Sequence, residues 1–179
     1  MGSIIKVNEY KDFNNNAILT SDGAGVVTPN ASGIKNTPAF EAYLGTTAGI
    51  TDATWVKATF DTERFDTDGT FASDKFTPAV AGKYVCYTGC RLGNDGANTL
   101  THAMYAFYKN GAAYLISTTP TVLFNSGSYG INNFGAMLTQ TIDLDADDYI
   151  EVYVYCDTST GSPDLIHGSF FGAYKIIGA

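Results

Sequence analysis

A chain of 179 residues is long enough for one domain with a full hydrophobic core and a short appendage. Its charged fraction is only 16%, and its 19 Gly and 12 Tyr residues favour short strands joined by tight turns over helices. Eighteen acidic residues against ten basic ones give a formal charge of −8, which opposes binding to nucleic acid and to anionic membrane surfaces.

Residues 1–36 predict an extended β arm rather than an independent domain. Short apolar runs at 4–7 and 17–19 are separated by three asparagines at 14–16 and followed by a Gly-rich turn at 21–25. The first residues have neither a basic stretch nor an apolar one, so no secretory signal is expected. Because so short a segment cannot bury a core, we expect it to pack on another surface. The alternative is a loose tail.

From residue 37 onward, short strands recur at regular spacing, and no apolar stretch reaches the ~20 residues that a membrane-spanning helix needs. The strands are expected at 39–44, 55–60, 71–76, 83–88, 103–109, 113–116, 136–144, 149–156 and 169–177. Asn110-Gly111 is a strong hairpin signal between two of them. Turns every 8–12 residues indicate an all-β sandwich or jelly roll, and the periodicity alone does not choose between these two.

The strand at 149–156 has the clearest alternation. One face carries only small or branched apolar side chains, which we expect in the core: Ile150, Val152, Val154 and Cys156. The opposite face carries three tyrosines and Glu151, and we expect it to contact another subunit because contiguous exposed aromatic surface usually marks an interface.

The three cysteines predict buried free thiols. An odd count opposes a disulfide framework, and Cys86 and Cys90 lie four residues apart on one strand face, roughly 13 Å, too far to bridge. Cys156 has no evident partner, and the two histidines, His102 and His167, are too scattered to predict a zinc site.

Four segments in order resemble the C1q/TNF-like jelly roll. Residues 38–44 resemble its opening strand, and the F-T-P-A-V-A-G-K-Y sequence at 76–84 is similar to the family pattern F-x-x-P-x-x-G-x-Y. Residues 144–152 resemble the family's L-x-x-G-D-x-V turn and strand, with Asp147 where the family has Gly. Residues 169–176 resemble its closing S-F-x-G strand. The resemblance covers 38–177 and implies a ten-stranded jelly-roll sandwich that associates as a homotrimer.

The arm carries a second resemblance. Residues 5–8 and 17–28 look like leader segments of fibre and virion proteins of tailed phages, and 61–69 resembles phage versions of the domain. A collagen-like G-x-y stalk, typical of secreted animal relatives, is missing from the sequence. We therefore expect an anchoring and assembly arm at 1–36, contacting other virion proteins, and a C1q-like jelly-roll domain at 37–179.

Enzyme chemistry has little support. The only candidate for a nucleophilic triad is Asp164, His167 and Ser169, in a Gly/Ser/Pro loop and the strand after it. No phosphate-binding loop and no nucleophile elbow occurs. We expect a protein without enzymatic activity.

Two kinds of binding residue are candidates. Aspartates at alternate positions on turns provide the oxygen ligands that calcium prefers, at Asp66 and Asp68 and at Asp145 and Asp147, although Asp is also an ordinary turn residue. The connections 93–101, 120–133 and 157–168 are long for hairpins. In and directly after the connection 120–133, two rings could stack on a saccharide and two amides could form hydrogen bonds with its hydroxyls: Tyr129, Asn132, Asn133 and Phe134.

These observations predict a bacteriophage virion protein, made in the host cytoplasm. It would be a trimeric tail-fibre or knob component that contacts the host surface, where a glycan is a candidate partner, without binding nucleic acid or inserting into a membrane. The first alternative is a capsid decoration or connector protein of the same fold that serves assembly only. A further alternative is a cellular C1q-like binding protein.

Overall fold

The computed structural model describes residues 7–30, 34–94, 99–114, 122–125 and 131–177, with only the backbone at 122–125. These residues contain no α-helix, so the all-β prediction is confirmed. None of the described segments forms a helix long and apolar enough to cross a bilayer. The strands are β1 Glu9–Lys11, β2 Ala17–Ser21, β3 Val27–Pro29, β4 Ala39–Tyr43, β5 Ala48–Gly49, β6 Thr54–Lys57, β7 Thr62–Asp66, β8 Phe71–Ala72, β9 Lys75–Phe76, β10 Gly82–Gly93, β11 Leu100–Lys109, β12 Ala112–Ala113, β13 Val122–Asn125, β14 Asn133–Leu144, β15 Ile150–Thr158, β16 Asp164–Leu165 and β17 Phe170–Lys175.

Two antiparallel sheets form the main domain. The first sheet has the order β5-β16-β10-β17-β4-β7, and β14 pairs along the other edge of β10. The second sheet has the order β12-β11-β15-β9-β8, with β13 paired to β11 and β6 paired to β15. The longest pairings are β10 with β14, from Gly82↔Leu144 to Gly93↔Asn133, and β11 with β15.

Several strand boundaries differ from those expected. The predicted strand 71–76 is a tight hairpin, because Ser73 and Asp74 adopt φ values of 52° and 59° and reverse the chain between β8 and β9. The connection 120–133 contains β13, which pairs with β11. Within the described part of residues 39–175 the strands number fourteen, and five of them have only two residues, so the predicted count of ten is not reproduced.

The hydrophobic core lies between the two sheets. Every second residue of β15 points into it: Ile150, Val152, Val154 and Cys156 are all 0% exposed, as the alternation predicts. Aromatic rings pack around Phe40, whose centroid lies 4.7 Å from that of Phe71 and 4.9 Å from those of Phe76 and Phe171. The three cysteines are buried free thiols, which confirms the prediction made for them.

Two of the turn motifs noted in the sequence have clear local causes. Asn110 and Gly111 adopt φ values of 54° and 78°, as the reversal from β11 into β12 requires. In the 76–84 motif, Gly82 has a φ of 150° where the chain enters β10. The hydroxyl of the fully buried Tyr84 donates to the backbone oxygen of Val80, which holds the preceding turn against the core.

The arm forms a sheet of its own. Strands β1, β2 and β3 pair antiparallel in sequence order. Its turns are closed by aspartate, as at Asp12, whose carboxylate accepts hydrogen bonds from the backbone of Asn14 and Asn16. Five large apolar side chains on this sheet and its connections are more than half exposed: Val7, Tyr10, Phe13, Val26 and Val27.

Candidate interaction surfaces

The outer face of the first sheet carries exposed apolar side chains. Phe65 on β7 is 46% exposed, Met137 on β14 is 65% exposed and Tyr174 on β17 is 40% exposed. Met137 and Tyr174 point away from the core, because their strand neighbours Leu138 and Ala173 are buried. Phe65 pairs with Glu41, which lies between the buried residues Phe40 and Ala42 and therefore also faces outward. Exposed apolar groups spread over three strands of one face form a surface suited to protein contact.

Polar groups order the centre of this face. The Tyr87 hydroxyl donates to the Glu41 carboxylate at 2.9 Å, and Arg64 pairs with the same carboxylate. Arg64 also lies 5.1 Å over the ring of Tyr43. Burial, and then the hydrogen bond to Glu41, raises the pKa of Tyr87, so the hydroxyl remains a protonated donor. A Cβ atom at Gly172 would overlap the Tyr87 ring, so any larger residue at that position would displace the ring.

A groove of about 400 Å³ opens where β10, β14 and the start of β17 meet. Its lining includes Arg91 and Met137. Two residues of the candidate triad, His167 and Ser169, also line it. The Ser169 hydroxyl donates to Ile166 O at 2.7 Å, whereas His167 Nδ1 lies 3.3 Å from the hydroxyl of Thr47. His167 and Ser169 thus have different hydrogen-bond partners, which is not the geometry of a nucleophile and its base.

The outer face of the second sheet carries an aromatic platform, which we define as Trp55, Tyr108, Tyr153 and Tyr155. The Tyr108 and Tyr153 rings are stacked with centroids 3.8 Å apart, and Trp55 lies 5.7 Å from Tyr155 and 6.4 Å from Tyr108. All four residues are half-buried. The tyrosines of 149–155 therefore lie in a layer with rings from β6 and β11.

A charged cluster borders one side of the platform. Glu151 is 4% exposed, and its carboxylate lies 3.5 Å from Lys57 Nζ and 3.6 Å from Lys75 Nζ. Lys57 also donates to Ser73 O at 2.9 Å, and Lys75 lies 4.1 Å over the ring of Tyr149. Two cations are thereby held in place around one nearly buried carboxylate.

The predicted saccharide residues are only partly described. Tyr129 lies outside the described residues. The backbone oxygen of Asn132 accepts a hydrogen bond from Asn94 N at 3.1 Å, and Asn133 begins β14 opposite Gly93. The Phe134 ring packs against the core beside Tyr105, with centroids 6.3 Å apart. Saccharide contact by these residues stays a prediction.

The predicted calcium ligands lie on turns that their own hydrogen bonds order. The Asp66 carboxylate accepts from Phe71 N at 2.8 Å and from the hydroxyl of Thr70 at 3.1 Å. Partial burial opposes ionisation there, but these hydrogen bonds prevail and lower the pKa of Asp66. Asp68, Asp145 and Asp147 are exposed. Across the described ranges no group of three or more His, Cys, Asp or Glu side chains is placed to hold a metal ion, and the calcium prediction remains untested.

One polar site was missed by the sequence interpretation. The Asp148 carboxylate pairs with Lys109 Nζ at 2.7 Å and accepts hydrogen bonds from the Asn110 side chain at 2.6 Å and from Asp145 N at 2.8 Å. These partners, with Lys109 the largest, lower the pKa of Asp148 to about 2. The site ties the β11–β12 hairpin to the turn before β15. The D-A-D-D sequence at 145–148 marked only a turn.

Comparison with known proteins identifies the fold. No protein-family model and no curated protein matches this sequence. Among solved structures, the globular domain of zebrafish complement 1qA protein superposes with a TM-score of 0.54 at 14% identity, over 78% of this chain and 98% of that one. The fold is a C1q-like jelly roll. At this identity the likeness concerns the fold alone, and it confirms that part of the resemblance seen in the sequence.

Proposed function

We propose that this C1q-like jelly-roll chain is a subunit of a homotrimeric, non-enzymatic bacteriophage virion protein, a tail-fibre or knob component that contacts the host surface. The observation that carries the proposal is the exposed apolar face of the first sheet. Exposed apolar side chains distributed over one face of a sheet offer a surface that another subunit could cover.

The distribution of side chains on that face supports a cyclic contact. Phe65 lies on β7 at one margin of the first sheet, and Met137 lies on β14 at the other. In a cyclic trimer, different patches of neighbouring subunits meet, so one margin of each subunit can cover the opposite margin of the next. The tyrosines of 149–155, in contrast, already pack with Trp55 and Tyr108 on the second sheet. We therefore assign the subunit contact to the first sheet instead of to that tyrosine face.

The arm supports the incorporation of the trimer into a particle. Phe13 is fully exposed and Tyr10 is 59% exposed, on a three-stranded sheet that is too small to bury them. We assign residues 1–36 the role of binding another virion protein, which would cover these side chains. The protein would be made in the host cytoplasm and function on the virion.

Sedimentation of the full chain tests the trimer. The wild-type protein should sediment as a trimer at micromolar concentration, and the double variant Met137→Glu/Tyr174→Asp should sediment as a folded monomer. Val80→Glu is the matched control, because Val80 is 37% exposed but lies in the turn before β10, away from the face. A monomeric wild-type protein would refute the proposal, as would a double variant that remains trimeric.

Particle assembly tests the two roles within the chain. Deleting residues 1–36 should leave a folded trimer that no longer joins the particle. Trimming residues 126–133 should leave incorporation intact and reduce host attachment, since loops on a rigid β scaffold can change without disturbing the core. Normal incorporation of the deletion would contradict the arm's role. Unchanged attachment after trimming would favour the capsid decoration or connector alternative.

A further inference from the structure

We propose that the aromatic platform of the second sheet, together with Lys57 and Lys75, is a binding site for an acidic saccharide. The platform is built on strands β6, β11 and β15 of the sheet and not on loops. Beneath its rings Ala106 is only 3% exposed, so the rings form a continuous layer over a small residue. An aromatic layer of this kind suits the apolar C–H groups of a pyranose ring.

The polar atoms of the platform indicate a ligand rich in hydroxyl groups. Within the described part of the chain, its three tyrosine hydroxyls and the Trp55 indole N–H have no hydrogen-bond partner. The two fully buried tyrosines of the sheets, in contrast, donate to protein acceptors: Tyr84 to Val80 O and Tyr105 to Phe134 O. Four unpaired polar groups on one apolar surface match a saccharide better than they match an apolar protein surface, on which they would lose their water.

The charge of the cluster beside the platform indicates an acidic sugar. Lys57 and Lys75 together outweigh Glu151 by one positive charge, in a chain whose formal charge is −8. The lysine side chains are 30% and 36% exposed, so they can reach a ligand carboxylate while Glu151 holds them in place. The opposite side carries Asp157, paired with His102 at 3.3 Å, and this carboxylate disfavours a ligand carboxylate there. The sugar carboxylate is therefore placed at the lysines.

This site differs from residues 126–134 and from the proposed subunit contact. It lies on the opposite side of the sandwich from the first-sheet face, so a trimer formed through that face leaves it accessible. The inference deepens the proposed host contact by naming a ligand class, and it rests on that proposal only for the accessibility of the platform in the trimer. Sugar binding to the purified chain and sedimentation are separate measurements. Absence of sugar binding would leave the trimer standing, and a monomeric protein would leave the saccharide site standing.

Trp55 is the only tryptophan of the chain, and its fluorescence therefore reports directly on the platform. The purified full-length protein is titrated with 3′-sialyllactose and with trigalacturonate, and with lactose and trigalactose as their neutral counterparts. We expect a saturable change with at least one acidic sugar, and about tenfold weaker binding of its neutral counterpart, because the contacts of the carboxylate are lost.

Three variants locate the binding. Lys75→Gln should weaken the binding of the acidic sugar about three- to fivefold, which is the effect of losing one partly exposed ion pair. Tyr153→Phe, which removes one hydroxyl, should weaken the binding of acidic and neutral sugars alike. Tyr114→Phe is the matched control and should leave binding unchanged, because Tyr114 packs against the core and not on the platform. The proposal is overturned if neither acidic sugar gives a saturable change, if neutral sugars bind equally well, or if inorganic phosphate gives the same change as the sugars.

Discussion

Replacing Val152 by Asp tests the assignment of the two faces of β15, on which the aromatic platform of the second sheet depends. Val152 is 0% exposed and lies in the core, whereas its neighbours Glu151 and Tyr153 belong to the outer face. An aspartate at this position would be cut off from water, and burial disfavours the charged form of a carboxyl. We expect the variant to be severely destabilised at pH 7 and less destabilised at lower pH.

The magnitude follows from the shift of the aspartate pKa. Full burial raises the pKa of a carboxyl by ~3–5 units, so a value of about 8 in the folded protein replaces about 3.9 in the unfolded chain. At pH 7 the unfolded chain is ionised and the folded protein is protonated, which costs about 4 kcal/mol of unfolding free energy. Loss of the valine side chain and burial of a polar group add roughly 2–3 kcal/mol. The sum, about 6–7 kcal/mol, is comparable to the whole stability of a typical domain.

Because the folded pKa is the raised one, the penalty vanishes below the unfolded pKa and grows as the pH rises toward the folded pKa. Between pH 7 and pH 5 the protonation cost should fall by about 2.7 kcal/mol. Urea unfolding at the two pH values, followed by circular dichroism, measures this change. Val152→Asn is the matched control, since it has the same shape and no ionisable proton. Equal stabilities of the Asp and Asn variants at both pH values would show that position 152 is solvated and that the face assignment is wrong.

Three further outcomes are expected. Asp148→Asn should lower the unfolding free energy by about 1 kcal/mol at pH 7 and should reduce, by about the same amount, the loss of stability in urea titrations between pH 4 and 2. A carboxylate with a pKa of about 2 stabilises the fold above its unfolded pKa and loses this effect as the pH falls. Gly172→Ala should displace the Tyr87 ring and lower the melting temperature, whereas Gly135→Ala, with its nearest neighbour at 3.7 Å, should not. The three buried thiols, whose pKa values are raised by burial, should react with a thiol reagent only on unfolding, and rapid reaction of the native protein would contradict their burial.

Much of the strand framework was predictable because it depends on neighbours along the chain. The alternation in 149–156 separates core residues from outer ones without any knowledge of partners, and Val154 is buried as that pattern requires. Asn110-Gly111 specifies a reversal through its own backbone preferences. The prediction failed at 71–76, where apolar residues at both ends suggested one strand. The left-handed conformations of Ser73 and Asp74 make it a hairpin.

The surfaces were less predictable, since they combine residues from strands far apart in the sequence. Nothing local shows that Phe65 and Met137 share the exposed face of one sheet, because this follows from the order of β7, β4, β17, β10 and β14. The same limit applies to the place of Phe134 in the fold, because its ring lies beside Tyr105, 29 positions earlier in the chain. Whether a side chain packs or stays exposed depends on which residues from other strands lie beside it.

The alternating pattern and turn residues of the sequence were thus enough to establish an all-β chain, the inward face of β15 and the burial of the cysteines, because each of these rests on the two-residue period of a strand. Sheet pairing alone placed Trp55 beside Tyr155, which lies 100 positions later, and brought Lys57 and Lys75 to the same carboxylate of Glu151. Contacts over such separations arise from strand order and register. These are set by how the two sheets bury their apolar faces together, and they leave no periodic trace in the sequence.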